Sequence, residues 1–169
     1  MAELRIGCLV MAAGSGSRFG RNKLEAVVDG KSLLRRSLEA VPAEEFAQVT
    51  VVTQYDAAAA LAEEFGFTVV RNDRPEDGLS RTVRLGTEAM AGCDAILYQV
   101  ADQPLLEQET VRRELEYFRT HPDHIVGLAH NGVRGNPCIF PRKFFPELMA
   151  LEGDVGGNLS LIHISEPTR

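Results

Sequence analysis

The sequence has no tryptophan, only three cysteines and no long apolar run, and each shortage removes a class of protein. A membrane-spanning helix needs about 18 or more consecutive apolar residues, and no such run occurs. The opening residues, MAELRIG, lack the extended apolar stretch of a secretory leader, so a cytoplasmic protein is expected. Cys8, Cys93 and Cys138 are odd in number, far apart and set among apolar neighbours. They read as reduced core thiols rather than as disulfides or metal ligands. Excess basic charge is missing too. With 18 Lys and Arg against 24 Asp and Glu the net charge is −6, which argues against non-specific nucleic-acid binding.

What remains is the composition of one soluble domain: 169 residues, 44% hydrophobic, enough for a sizeable core. Residues 6–11 form an apolar run that reads as a buried strand. It breaks into a string of small residues, Ala12, Ala13, Gly14, Ser15, Gly16 and Ser17, followed closely by Arg18, Gly20 and Lys23. Small residues let backbone N–H groups approach and cradle phosphate oxygens. Arg18 and Lys23 would add charge at the same place. A strand ending in such a loop is where an open α/β sheet binds its ligand.

Two familiar phosphate loops do not fit. The P-loop spacing, four residues between a first Gly and Gly-Lys-Ser/Thr, does not occur. The dinucleotide fingerprint needs G-x-G-x-x-G, but the glycines stand at 14, 16 and 20, one residue too long. Its acidic partner is missing as well: the second strand ends on Thr53, Gln54 and Tyr55.

Strand and helix patterns alternate through most of the chain. Short extended residues at 26–28 and a turn at 29–31 precede a helix capped by Ser32 and running to about Ala40, ended by Pro42. Strands are expected at 48–53, 67–70, 95–100 and 125–129, with helices at 56–65, 82–90 and 144–151. Gly66 suits the residue after a helix end. Residues 72–80 read as a loop, and 104–119 as a loop followed by a charged helix whose run at 107–116 is an exposed face. Asn131 and Gly132 signal a hairpin returning through Cys138, Ile139 and Phe140. This order predicts a mostly parallel sheet with helices on both faces. There is no internal repeat and no linker.

Four further groups stand at chemically useful places. Asp102, in ADQPLL, directly follows the expected 95–100 strand, so its carboxylate belongs at the crevice end of the sheet and suits a hard divalent cation. By itself it reads better as a cap of the following helix, and only its pairing with the small-residue loop favours the cation. Gly78, Leu79 and Ser80 end the 72–80 loop, with Ser80 a possible helix N-cap. Gly135, Asn136 and Pro137 follow the hairpin and read alone as turn chemistry. Asp154 stands between Gly153 and the Gly156-Gly157 pair. His121, His124 and His130 are too irregularly spaced for a metal site and read as solvated or loop histidines.

The segment MAAGSGSRFGRNKL resembles the signature loop of MobA-like nucleotidyltransferases, and its Ala-Ala-Gly variant is similar to that of the molybdenum cofactor cytidylyltransferases. Their pattern runs Ala-Ala-Gly or Ala-Gly-Gly, Ser-x-Arg-hydrophobic-Gly, then Lys-Leu. The resemblance extends over residues 5–157, through Gly30-Lys31-Ser32-Leu33, Asp102-Gln103-Pro104, Gly135-Asn136-Pro137 and Gly153-Asp154. It implies a Rossmann-like three-layer α/β/α fold of glycosyltransferase-A type. The implied reaction transfers CMP from CTP to molybdenum-molybdopterin, giving molybdopterin cytosine dinucleotide and pyrophosphate, with a molybdenum hydroxylase as the recipient of the product.

The resemblance also implies roles. Residues 12–17 hold the nucleotide, with Gly78, Leu79 and Ser80 against its base and ribose. Arg18 faces the leaving phosphates and Lys23 the α-phosphate. Asp102 binds Mg²⁺. Gly135, Asn136, Pro137 and Asp154 line the acceptor side. Arg81 departs from the usual Ser-rich continuation, and Asn158 stands where members commonly have Arg or Lys. Other bases or acceptors, GTP or a sugar phosphate, stay open, as does a non-catalytic maturation chaperone. The final string at 159–169, LSLIHISEPTR, looks like the translation of a transposon-end sequencing adapter. The expected domain is therefore residues 1–158, truncated at its C-terminus, with an adapter-derived tail over 159–169.

Overall fold

A computed structural model describes residues 4–12, 27–28, 31–74, 79–101, 106–130 and 133–150. Its centre is β1, Ile6–Ala12, in which every residue is buried. The strand pairs in parallel with β4 (Gln48–Thr53) on one side and β6 (Ala95–Val100) on the other. Burial on both faces explains why 6–11 is a continuous apolar run rather than an alternating one. β5 (Thr68–Arg71) extends the parallel part beyond β4. On the far side β8 (Val133–Pro141) runs antiparallel to β6, and β7 (Val126–His130) pairs antiparallel with β8. The six-stranded order is β5-β4-β1-β6-β8-β7. β2 (Val27–Val28) and β3 (Lys31–Ser32) make a separate small antiparallel pair in which Lys31, expected in a turn, is a strand residue opposite Val28.

Helices cover both faces, as the alternating pattern predicts. The alternate residues of β1 point to opposite sides and nucleate two cores. Ile6, Cys8 and Val10 pack with α1 (Leu33–Glu39), α2 (Asp56–Glu64) and α4 (Gln108–Thr120) through Leu38, Ala62 and Leu115. Leu9 and Met11 pack on the other side with α3 (Leu79–Ala89) and α5 (Phe145–Met149) through Val83 and Leu148. The fold is thus a three-layer Rossmann-like α/β/α sandwich around a mostly parallel sheet. Gly66 follows α2 at φ 81°, the left-handed conformation that ends a helix most easily without a Cβ. All three cysteines are buried free thiols.

Four expectations need correction. α3 begins at Leu79, so Leu79 and Ser80 belong to a helix and not to the preceding loop. Ser80 lies fully buried inside the first turn rather than capping it. The Asp/Pro/Gly composition of 72–78 masked that early start. Gly135, Asn136 and Pro137 lie within strand β8 and not in a turn. The 107–116 run is not wholly exposed: Glu114 is buried, because it lies three residues from Val111 and four from Phe118 on the packed stripe. His121 follows α4 as a half-exposed loop residue, as expected, and its ring stacks on Tyr117 with centroids 4.1 Å apart.

Candidate active site at the carboxyl edge of the sheet

The parallel strands end level with one another. Ala12 is opposite Thr53, Thr53 opposite Arg71, and Met11 opposite Val100. The segment that carries the small-residue loop leaves the end of β1, and the segment that carries Asp102 leaves the end of β6, the strand beside it. The antiparallel strand β8 starts at the same edge and runs down from it. Its ladder with β6 stops at Tyr98 opposite Cys138. Its ladder with β7 slips there too, because Gly127 is opposite Cys138 while Leu128 is opposite Gly135. Asn136 and Pro137 are therefore skipped by both neighbours and form a bulge one rung above Tyr98, a device common next to binding sites. A crevice beyond the carboxyl ends of parallel strands is where open α/β sheets place ligands.

Among the sequence-chosen residues, Ala12 is described as the last residue of β1, with its side chain buried in the core. It belongs to the strand and not to the loop that follows. Leu79 and Ser80 open α3, Gly135 and Asn136 lie in β8, and Pro137 is buried there. Ala13, Gly14, Ser15, Gly16, Ser17, Arg18, Lys23, Gly78, Asp102 and Asp154 lie outside the described residues, as does the 159–169 tail.

Three residues that the sequence reading passed over hold the strand ends. The Thr53 hydroxyl donates to the Ala12 carbonyl at 2.9 Å and accepts the Tyr55 N–H at 3.1 Å. It thereby ties the last peptide of β1 to β4. At the end of β5, Asn72 is almost fully buried: its N–H donates to the Thr53 carbonyl, and its Nδ2 donates to the Thr82 hydroxyl at 3.2 Å. Its Oδ1 accepts the Arg74 N–H, closing an Asx turn. On β6, buried Gln99 donates from Nε2 to the Ser37 carbonyl and hydroxyl at 2.9 and 2.8 Å. No composition signal marks Thr53 or Gln99, since each is a polar residue within a strand whose partner lies 41 or 62 positions away.

Arg81 does not stand idle at the start of α3. Its guanidinium meets Asp73 at 3.1 Å, and this hydrogen bond chiefly holds the Asp73 carboxyl below its usual range. Arg81 therefore staples α3 to the loop that leaves β5. Deeper in the same face, the Thr87 and Tyr98 hydroxyls share a buried 2.7 Å hydrogen bond, and burial pushes the Tyr98 phenol far up.

A cavity of about 520 Å³ lies elsewhere, between α4 and β7, walled by Thr110, Glu114, Tyr117, Val126 and Leu128. The carboxyl oxygens of Glu114 are shut off from it and have no hydrogen-bond partner among the described residues. Among those residues no group of three or more His, Cys, Asp or Glu side chains could hold a metal ion. Nor is any of their helices long and apolar enough to cross a membrane.

The strand order β5-β4-β1-β6-β8-β7, with β1 and β6 ending side by side, defines an open, mostly parallel α/β domain of the doubly wound class. The chain belongs to the MobA-like NTP transferase domain family, whose pattern matches residues 8–166. It is 29% identical over 130 residues to the bifunctional protein GlmU of Bifidobacterium animalis subsp. lactis, a match spanning 72% of this chain but only 28% of that protein. Among solved structures it is similar to Rv0371c of Mycobacterium tuberculosis, at 24% identity and TM-score 0.75, over 92% of this chain and 81% of that one. Rv0371c has also been solved as a manganese complex. A nucleotidyl transferase from a Methanothermobacter, Mth528, aligns at 25% identity and TM-score 0.70, over 91% and 79% of the two chains.

Proposed function

We propose that this chain is a nucleotidyltransferase that joins CMP from CTP to the terminal phosphate of molybdenum-loaded molybdopterin. The observation that supports the reading best is the level edge of β1 and β6, from which the Ala13–Lys23 and Asp102 segments leave side by side. The family supports an NTP as substrate. The Ala12-Ala13 pair supports cytosine, and the bulge at Asn136 and Pro137 supports an acceptor surface on the β8 side of the same edge.

In this reading an acceptor phosphate oxygen attacks the α-phosphorus of CTP. A new P–O bond forms, the bond to the β-phosphate oxygen breaks, and pyrophosphate leaves. The acceptor is already ionised, so no general base is needed, and the protein contributes position and charge. Backbone groups of Ala13, Gly14, Ser15 and Gly16 cradle the nucleotide, with Ser17 beside them. Arg18 neutralises the departing phosphates, and Lys23 stabilises charge on the α-phosphate. Gly78, Leu79 and Ser80 lie against base and ribose. Gly135, Asn136, Pro137 and Asp154 receive the acceptor.

One carboxylate plus substrate phosphates is an oxygen donor set suited to Mg²⁺, and Asp102 is the residue that would hold it. Bound there, the cation would neutralise phosphate charge and orient the triphosphate. The recipient of the product would be a molybdenum hydroxylase.

The test is pyrophosphate release with Mg²⁺, molybdenum-loaded molybdopterin, and CTP or GTP in parallel. CTP-dependent release is expected. GTP-dependent release would keep the chemistry and overturn the base. Silence with both nucleotides would overturn the molybdopterin acceptor. Lys23→Ala and Asp102→Ala should each abolish turnover; near-wild-type rates in either would remove that residue from the mechanism.

A further inference from the structure

The two segments that would meet the triphosphate share one buried anchor, and it lies outside every role assigned above. The first segment comes back into the fold through β2 and β3, which lead directly into α1. The second leaves β6 at Val100 and re-enters at α4. Helix α1 grips both. From its middle, the Ser37 hydroxyl donates to the Val100 carbonyl at 3.4 Å. Gln99 donates back to the Ser37 carbonyl and hydroxyl, and both residues have no solvent exposure. From its end, the Glu39 carbonyl accepts Gln108 Nε2 at 2.8 Å, which pins the far side of the Asp102 segment. The Ala101 N–H, one residue before Asp102, donates to the Met11 carbonyl and completes the clamp.

The orientation of Gln99 is forced. Its Nε2 must face the Ser37 carbonyl, which can only accept, so the amide cannot be reversed without placing two acceptors together. Its Oε1 is buried with no hydrogen-bond partner among the described residues, so the joint is costlier than an apolar contact would be. What it fixes is the height and direction of the β6 terminus relative to α1.

We propose that Gln99 and Ser37 are positioning residues that fix the end of β6 from which the Asp102 segment leaves, and so tune how tightly a divalent cation and nucleotide bind together. The inference rests on the nucleotidyl-transfer reading above. Groups that orient a metal ligand typically change metal affinity by about 10- to 100-fold when removed.

The experiment titrates Mn²⁺ into the full chain with CTP, following free Mn²⁺ by electron paramagnetic resonance. CTP binding without metal is measured alongside. Gln99→Met removes the amide at similar volume, and Ser37→Ala is the milder variant should the first fold poorly. The expected result is about tenfold weaker Mn²⁺·CTP binding in Gln99→Met, and a smaller loss in Ser37→Ala, with metal-free CTP binding unchanged. In an Asp102→Asn background, Gln99→Met should add nothing, because it acts through that carboxylate. Unchanged Mn²⁺·CTP affinity with only a lower melting temperature would overturn the proposal, as would an equal loss with and without metal. Wild-type protein that binds no Mn²⁺·CTP would instead sink the reading of CTP as its substrate, and this inference with it.

Discussion

Glu114 carries the least comfortable charge among the described residues. It is 4% exposed, both its oxygens lack partners among those residues, and burial pushes its carboxyl well above the ordinary value. Its proximity also adds to the burial that drives the Cys8 thiol far up. The sign follows directly. A carboxyl raised in the folded state keeps its proton to higher pH there than in the unfolded chain, so its favourable contribution is complete below the ordinary carboxylate range and is lost as pH climbs through the raised value. Glu114→Met should therefore stabilise the protein at pH 8 by about 1–3 kcal/mol, and by much less at pH 4. Urea unfolding at the two pH values checks it; a gain independent of pH would refute the assignment. Arg18 gives a second expectation at this scale. If it faces the departing phosphates, Arg18→Ala should weaken CTP binding more than CMP binding in calorimetric titration. Equal losses would move it elsewhere.

Among the elements, α3 packs tightly on the sheet at Gly86. A Cβ on Gly86 would overlap both terminal carbons of Leu9, so that the helix owes its approach to β1 to this glycine. Alanine normally favours a helix over glycine by about 1 kcal/mol, yet overpacking a tight core costs about 1–3 kcal/mol. Gly86→Ala should be net destabilising, by about 1–2 kcal/mol. A thermal melt showing no loss would mean that α3 can ride outwards freely, and with it the buried Ser80 that opens the helix. Legibility also divides by element. QVTVVT and AILYQV were readable as strands to the residue, because β-branched and apolar runs carry their own signal. The bulge at Asn136 and Pro137 was not, because a skipped rung depends on what two neighbouring strands do and not on local composition. Asn72 read as a turn residue for a similar reason: its bonds to Thr53 and Thr82 become visible only when β4, β5 and α3 are assembled.

At the scale of the molecule, one sheet separates two cores, and the thiols sample both. Cys8 sits among the residues under α1, α2 and α4, while Cys93 and Cys138 lie with α3 and α5. If the cores stand or fall together, all three should become reactive to a thiol reagent at one urea concentration, matching the loss of helical signal. Separate midpoints would show that one face opens alone. The motif-bearing segments were legible at this scale through their order along the chain. Their common edge followed from the parallel strands, whereas the clamps beneath them did not.

The position of β1 has a consequence for the newborn chain. This strand is made first, yet one of its two partners, β6, is 89 residues further along at their first paired rung, Ile6 with Ala95. While synthesis passes through β4, α2, β5 and α3, an apolar ribbon keeps one side open to other nascent chains. Completion of the strand ending at Val100 shuts that side and, in the same event, brings the Ala12 and Ala101 peptides together. For this fold, burial of its most adhesive edge and assembly of its crevice are a single step in time.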